Sequence, residues 1–151
     1  MPDYCPDKNV SLVYETVGQW RRVLAMSSEH RLADKEVLSL DMLAHEPMIL
    51  YSINNVDSKL ETHLQRLLGD SLNIAWRSSS SLSVLAMVGA GPGVALVPEP
   101  LSQVSIPGII YRVVDTPELS ATLMMVSRKD ESSGAVRAYL HHTRKQFLNR
   151  N

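Results

Sequence analysis

The stretch from Leu82 to Pro98, LSVLAMVGAGPGVALVP, places a helix, a glycine-rich turn and a short strand one after another. The apolar residues 82–88 predict the helix, and the glycines in GAGPG are typical of a helix C-terminus. The apolar run 94–97 predicts a buried strand, which the prolines at positions 98 and 100 end. A helix that leads directly into a buried strand is characteristic of a sheet covered by helices, so this stretch predicts an α/β fold.

The preceding residues repeat this arrangement. Another predicted helix carries leucines at i, i+4, i+7 and i+8, which are Leu60, Leu64, Leu67 and Leu68. Ser58 and Glu61 match the S-x-x-E capping box at its start, and Gly69 marks its end. With strands expected at 48–51 and 72–76, the order of elements becomes β-α-β-α-β.

The flanking regions add further elements. Ser39 and Pro47 predict the start and the end of a short helix around residues 40–43. Ser132 or Ser133 is expected to cap a final helix. Further strands are predicted at 10–15, 22–26, 109–114 and 123–127, and residues 1–9 are interpreted as a lead-in or connector.

The composition excludes several classes of protein. The chain has 151 residues, with 15 Lys plus Arg against 16 Asp plus Glu and a formal net charge of −1. This balance argues against a chain that binds DNA by itself, because neutralising phosphates needs clustered basic residues. The single cysteine, Cys5, cannot form an intramolecular disulfide and fits a reducing compartment. Since no apolar run could span a bilayer and the N-terminus lacks the pattern of a signal peptide, we expect a cytoplasmic protein without membrane contact.

Catalytic and cofactor motifs are missing from the sequence. The GAGPG cluster follows a helix and precedes a strand, which is the reverse of a dinucleotide-binding fingerprint. The five histidines include no H-x-x-x-H or H-E-x-x-H spacing for a metal, and no G-x-S-x-G nucleophile motif occurs. We therefore expect no enzymatic activity, no cofactor and no metal site.

Two polar turns form the candidate binding site. The candidate residues are Ser52, Asn54 and Asn55 after one predicted strand, and Arg77, Ser78, Ser79, Ser80 and Ser81 after the next. In an open α/β sheet, ligands bind outside the carboxyl ends of the strands, and both turns belong to that edge. The helices that follow direct free N–H groups and positive dipole ends there, which favours a carboxylate or another small anion. The alternative is that these side chains only cap helices, although four serines exceed the need for one cap.

Several segments together resemble a known family. They are His30-Arg31-Leu32-Ala33, residues 40–51, residues 82–99, residues 106–111 and the closing helix. In this order they resemble the effector-binding domain of LysR-type transcriptional regulators. The resemblance implies a type 2 periplasmic-binding-protein-like α/β fold, with the second lobe complete and only the C-terminal part of the first lobe present. Arg31 stands where the family usually has proline, which is expected to loosen that turn.

The resemblance also implies domain boundaries. Residues 10–151 would be a partial effector-binding domain, with the second lobe at about 20–100 and a return to the first lobe at about 108–150. The chain therefore resembles a regulator that is truncated at its N-terminus. Apolar faces that lack their usual cover predict self-association.

The expected function is sensing of a small-molecule effector, because the Ser52–Asn55 segment matches one that contacts the effector in relatives. DNA would be bound only through a helix-turn-helix domain that is absent from this chain. Family members form dimers or tetramers, so the resemblance also implies a homo-oligomer. A solute-binding protein of a transport system, which has the same fold, is the alternative.

Overall fold

The computed structural model describes residues 11–53 and 59–148 of the chain. Its strands are β1 (Leu12–Trp20), β2 (Arg22–Ser27), β3 (Val37–Leu38), β4 (Pro47–Tyr51), β5 (Asn73–Ser78), β6 (Ala95–Pro98), β7 (Ile109–Val114) and β8 (Ala121–Arg128). Its α-helices are α1 (Lys59–Leu68), α2 (Ser81–Gly89) and α3 (Gly134–Leu148). Short 3-10 turns cover Leu40–Leu43, Gly69–Ser71, Glu99–Gln103 and Pro117–Leu119. The predicted β-α-β-α-β order is confirmed by β4, α1, β5, α2 and β6.

Two compact units make up the chain. The larger unit is Trp20–Ser120, and the smaller unit combines Met1–Gln19 with Ala121–Asn151. β7 belongs to the larger unit because it pairs with β2. The expected lobe boundaries, at about 20–100 and about 108–150, stay a prediction.

The larger unit is built on two sheets that a bridge joins. A four-stranded sheet has the order β3-β7-β2-β6, and a two-stranded sheet pairs β4 with β5. Met48 forms a parallel bridge with Val94. In this bridge Ile49 N donates to Val94 O at 2.8 Å, and Val94 N donates to Pro47 O at 2.9 Å. Because β4 is also parallel to β5, the strands β4, β5 and β6 end at the same edge of the sheet.

Helices cover both faces of this combined sheet. Successive residues of β2 point to opposite faces, so Leu24 and Met26 belong to one apolar cluster whereas Val23 and Ala25 belong to another. Buried leucines of α1 complete the first cluster, and buried apolar residues of α2 complete the second. The two helices therefore lie on opposite faces, which is the layered arrangement of an α/β fold.

The ends of the helices agree with most of the sequence signals. Gly69 follows α1 with a φ of 54°, a left-handed conformation that suits glycine at a helix end. At the start of α3, Ser133 Oγ accepts a hydrogen bond from Val136 N at 3.4 Å. Of the two serines predicted as candidates, Ser133 is therefore the one that caps the helix. Ser39 precedes the 3-10 turn Leu40–Leu43, but its side chain makes no capping hydrogen bond, so that predicted cap is wrong.

The GAGPG cluster forms the helix-to-strand turn that the sequence predicts. Gly91 has a φ of 90°, and its N–H donates to Val88 O at 3.0 Å, which closes the end of α2. Gly93 is fully enclosed because the carbonyl oxygen of Pro47 occupies the place where a side chain would begin. The glycine at position 93 therefore allows the close approach of β4 that the Val94 bridge requires.

Arg31 ties its turn to the start of β4. Its guanidinium forms an ion pair with the buried carboxylate of Glu46, whose other oxygen lies 3.2 Å from His30 Nε2. The opposite ring nitrogen, His30 Nδ1, accepts a hydrogen bond from Leu32 N at 3.2 Å. The side chains of Arg31 and His30 thus attach this turn to Glu46, and a looser turn than in the family stays a prediction.

The smaller unit buries few side chains. β1 pairs with β8, and α3 follows β8 along the chain. Arg144 of α3 donates to both carboxylate oxygens of Glu15 on β1, at 2.8 and 2.6 Å, and these hydrogen bonds lower the pKa of Glu15. Among the described residues, its buried apolar side chains are Val17, Ala121 and Leu140. Its exposed large apolar side chains are Val13, Leu123, Val126, Val136, Tyr139 and Phe147.

We expect Gly93→Ala to lower the free energy of unfolding by roughly 1–3 kcal/mol, because the added Cβ would overlap the Pro47 carbonyl oxygen and displace the bridge. Gly89→Ala is the matched control, since its Cβ would meet the side chain of Ile109 at an ordinary contact distance of 3.4 Å. Urea denaturation followed by tryptophan fluorescence would measure both variants. Equal stability of the two variants would contradict the proposed role of Gly93.

Candidate functional site

The two polar turns meet at the carboxyl edge of the parallel strands. In the register of β4 and β5, Tyr51 lies opposite Ser78. The next residue, Ser52, is buried, and its N–H donates to Ser78 O at 2.9 Å. The structure therefore brings Ser52 and Ser78 together. Asn54 and Asn55, the other two residues predicted for the first turn, lie outside the described residues.

The four serines of the second turn have different roles. Ser80 has extended backbone angles, and its Oγ accepts a hydrogen bond from Ser83 N at 3.3 Å, so Ser80 is the N-cap of α2. Ser78 Oγ supports the turn by accepting from Ser80 N at 3.3 Å. The side chains of Ser79 and Ser81 are exposed. One serine therefore caps the helix, one stabilises the turn, and two hydroxyl groups face solvent.

The start of α2 leaves backbone donors at this edge. The first helical hydrogen bond runs from Val84 N to Ser80 O at 3.0 Å, and Ser83 N is taken by the cap. The amides of Ser81 and Leu82 have no acceptor within the helix, because the first N–H groups of any helix lack one. Together with the positive end of the helix dipole, these donors suit an anion.

Arg77 is directed toward α1 and is paired there. Its Nη2 lies 2.5 Å from Glu61 Oε1, and its Nε donates to Glu61 Oε2 at 3.4 Å. The side chain of Glu61 is only 11% exposed, against 37% for Arg77. No local sequence pattern links Arg77 with Glu61, which lie 16 positions apart on different elements. The proposed cap partner, Ser58, lies outside the described residues.

A second arginine–glutamate pair at the same edge was missed by sequence reasoning. The antiparallel register places Arg22, at the start of β2, opposite Pro98, at the end of β6. Arg21 and Glu99, the next residues outward, form the ion pair. Arg21 donates to Glu99 Oε1 from Nε at 2.9 Å and from Nη2 at 2.6 Å, and this raises the pKa of Arg21. No sequence signal links two residues 78 positions apart, because only the antiparallel pairing brings them together.

Other classes of site are absent from the part of the chain that the structure describes. Residues 11–53 and 59–148 contain no group of three or more His, Cys, Asp or Glu side chains that could hold a metal ion. Within the same ranges, none of the helices has the length and apolar character needed to cross a membrane.

Comparison of the sequence with protein families gives one clear match. The family model described as the LysR substrate binding domain matches residues 4–148. The HTH-type transcriptional regulator AlsR of Bacillus subtilis (strain 168) is 25% identical over 138 residues, which cover 90% of this chain and 46% of AlsR. The chain spans less than half the length of the curated relatives it matches.

Solved structures show the same fold. CbnR, a LysR family transcriptional regulator, matches with a TM-score of 0.84 and 16% identity over 97% of this chain and 51% of CbnR. The effector-binding domain of BenM with its effector benzoate matches with a TM-score of 0.74 and 20% identity over 96% of this chain and 67% of that domain. The predicted type 2 periplasmic-binding-protein-like α/β fold, with the second lobe and the C-terminal part of the first, is confirmed.

We expect Ser80→Ala to lower the free energy of unfolding by about 1 kcal/mol, because it removes the hydroxyl that accepts from Ser83 N. Ser79→Ala is the matched control one residue away, since its side chain is exposed. Thermal unfolding followed by circular dichroism would compare the two. A loss of stability in Ser79→Ala as large as in Ser80→Ala would contradict the assignment of Ser80 as the cap.

Proposed function

Since the chain belongs to the LysR substrate-binding domain family, we propose that it senses a small carboxylate effector for a LysR-type transcriptional regulator. The observation that carries this proposal is the hydrogen bond from Ser52 N to Ser78 O, which joins two polar turns at one edge. The proposed contacts are Ser52, Asn54, Asn55, Ser78, Ser79, Ser80 and Ser81.

A carboxylate suits this edge because its donors are uncharged and aligned. The amides at the start of α2 and the exposed hydroxyls of Ser79 and Ser81 can all donate to oxygen atoms. The nearby cations Arg77 and Arg21 are already paired with glutamates, so a multiply charged anion would gain little from them. Benzoate, the effector bound to the BenM domain, shows that a domain of this fold can hold a carboxylate.

Regulation would follow from a shift in population. An effector that binds one arrangement of the domain more tightly favours that arrangement by the difference in its two affinities. DNA binding would be carried by a helix-turn-helix domain elsewhere in a regulator, as the name of AlsR indicates for that protein. Such a regulator would act in the cytoplasm. The matched relatives are regulators, and no observation favours the alternative of a solute-binding protein of transport.

We expect benzoate to shift the amide resonances of Ser81 to Ser83 in a ¹H–¹⁵N NMR titration, whereas uncharged benzamide leaves them in place. The double substitution Ser79→Ala with Ser80→Ala should weaken benzoate binding by about tenfold, because it removes the Ser79 hydroxyl and the cap that holds the first turn of α2. Ser105→Ala, an exposed serine of the same unit, is the control. Unchanged affinity in the double variant would remove these serines from the site, and equal shifts with benzamide would contradict recognition of the charge.

We also propose that the chain associates with itself through the smaller unit. A two-stranded sheet with one helix buries too little apolar surface to be stable alone. Leu123 and Val126 of β8 and Tyr139 of α3 are exposed by 44%, 48% and 68%. An exposed apolar surface of this kind favours association.

We expect sedimentation velocity to show a dimer or a larger species, which Leu123→Glu with Val126→Glu converts to monomer because the charges oppose burial. Val37→Glu is the control, since Val37 is 57% exposed in the larger unit. A stable monomer of the unsubstituted chain at low concentration would overturn the proposal.

A further inference from the structure

We infer that Arg77 is a positioning residue of the effector site, whose ion pair with Glu61 fixes the first turn of α1 at the edge where Ser52 meets Ser78. The inference rests on the proposed function, because the position of α1 can affect effector binding only if the effector binds at this edge. Arg77 was predicted from the sequence as a direct effector contact. The contacts of its guanidinium point to a different role.

Two successive residues of β5 hold the chain on both sides of the β4–α1 connection. Ser78 accepts the N–H of Ser52 with its backbone oxygen, one residue after β4 ends. Arg77 holds Glu61, the third residue of α1, with two hydrogen bonds at 2.5 and 3.4 Å. The start and the end of this connection are therefore attached to adjacent positions of one strand.

The burial of Glu61 makes this pair more than a surface contact. Its side chain is 11% exposed, so removing Arg77 would leave a carboxylate in a partly dry environment without the guanidinium that contacts both of its oxygens. The pair uses both carboxylate oxygens and two nitrogens of one planar guanidinium. Lysine has a single nitrogen and would not reproduce this geometry. Loss of the pair should therefore displace or loosen α1.

The two roles of Arg77 predict opposite effects of neutralising Glu61. If Arg77 bound the effector's charge directly, Glu61→Gln would release the guanidinium and strengthen binding of an anion. If Arg77 acts by holding α1, Glu61→Gln would weaken binding of an anion in the same way as Arg77→Met. The sign of the change therefore separates a contact residue from a positioning residue.

The test uses the full chain without any ligand. Hydrogen exchange of the α1 amides from His63 to Leu68 would be measured by NMR in Arg77→Met, Glu61→Gln and the double variant. We expect about tenfold faster exchange in each, with the double variant no faster than the single ones, because all three lose the same pair. Arg66→Met is the control, since Arg66 is an exposed arginine of the same helix. Unchanged α1 exchange in Arg77→Met, or effects that add in the double variant, would overturn the inference.

A reversed pair separates loss of the interaction from general damage to the fold. Arg77→Glu combined with Glu61→Arg restores opposite charges at the two positions, so we expect α1 exchange to return to within about threefold of the unsubstituted chain. Arg77→Glu alone should give the fastest exchange, because it places two carboxylates together. Failure of the reversed pair to improve on Arg77→Glu alone would count against the inference.

A second measurement, the affinity for benzoate, tests the effector site itself. We expect Glu61→Gln to weaken benzoate binding at least threefold, and a gain in affinity would show direct contact by Arg77 and overturn the inference. If benzoate does not bind the unsubstituted chain, recognition of a benzoate-like carboxylate at this edge fails. The exchange measurements still decide whether Arg77 holds α1, so the two failures are distinguishable.

Discussion

The parallel pairing of β4 with β5 is the constraint on which the candidate site depends. Parallel strands end at the same edge, so the turns that leave them must start side by side. The Ser52–Ser78 hydrogen bond continues this pairing one step beyond β4. The same pairing places Arg77 where it can reach Glu61 on α1. An antiparallel arrangement of the two strands would separate the turns by the length of a strand.

The electrostatics of this edge depend on the ion pairs that its two arginines, Arg77 and Arg21, form with glutamates. Arg77 is paired with Glu61 and Arg21 is paired with Glu99, so each guanidinium already has an opposite charge beside it. In the proposed function, the attraction for an anion would come from amide and hydroxyl dipoles that folding has already oriented. Fixed dipoles cost no rearrangement when a ligand arrives, and they distinguish ligands by shape as well as by charge.

The sequence contained enough information for the elements but not for their partners. Helix spacing and glycine placement located α1 and α2 and the turn through Gly91, because these signals act within a few residues along the chain. The membership of β7 in the larger unit and the Arg21–Glu99 pair depend on strand pairing, which no local pattern reports. Ser39 failed as a cap because the segment after it forms a single 3-10 turn without a capping hydrogen bond. The candidate residues after β4 and β5 lie at the strand ends where the sequence placed them, and their binding role stays a prediction; the pairing of Arg77 with Glu61 could not be read from the sequence, because it depends on how α1 packs beside β5.

The bridge at Val94 has a mechanical consequence. The strands on either side of it belong to separate ladders, and the described contacts between these ladders' backbones run through the two hydrogen bonds of Val94. Between β4 and β6 the sheet is therefore held mainly by side chains, because both apolar clusters contain residues from the two ladders.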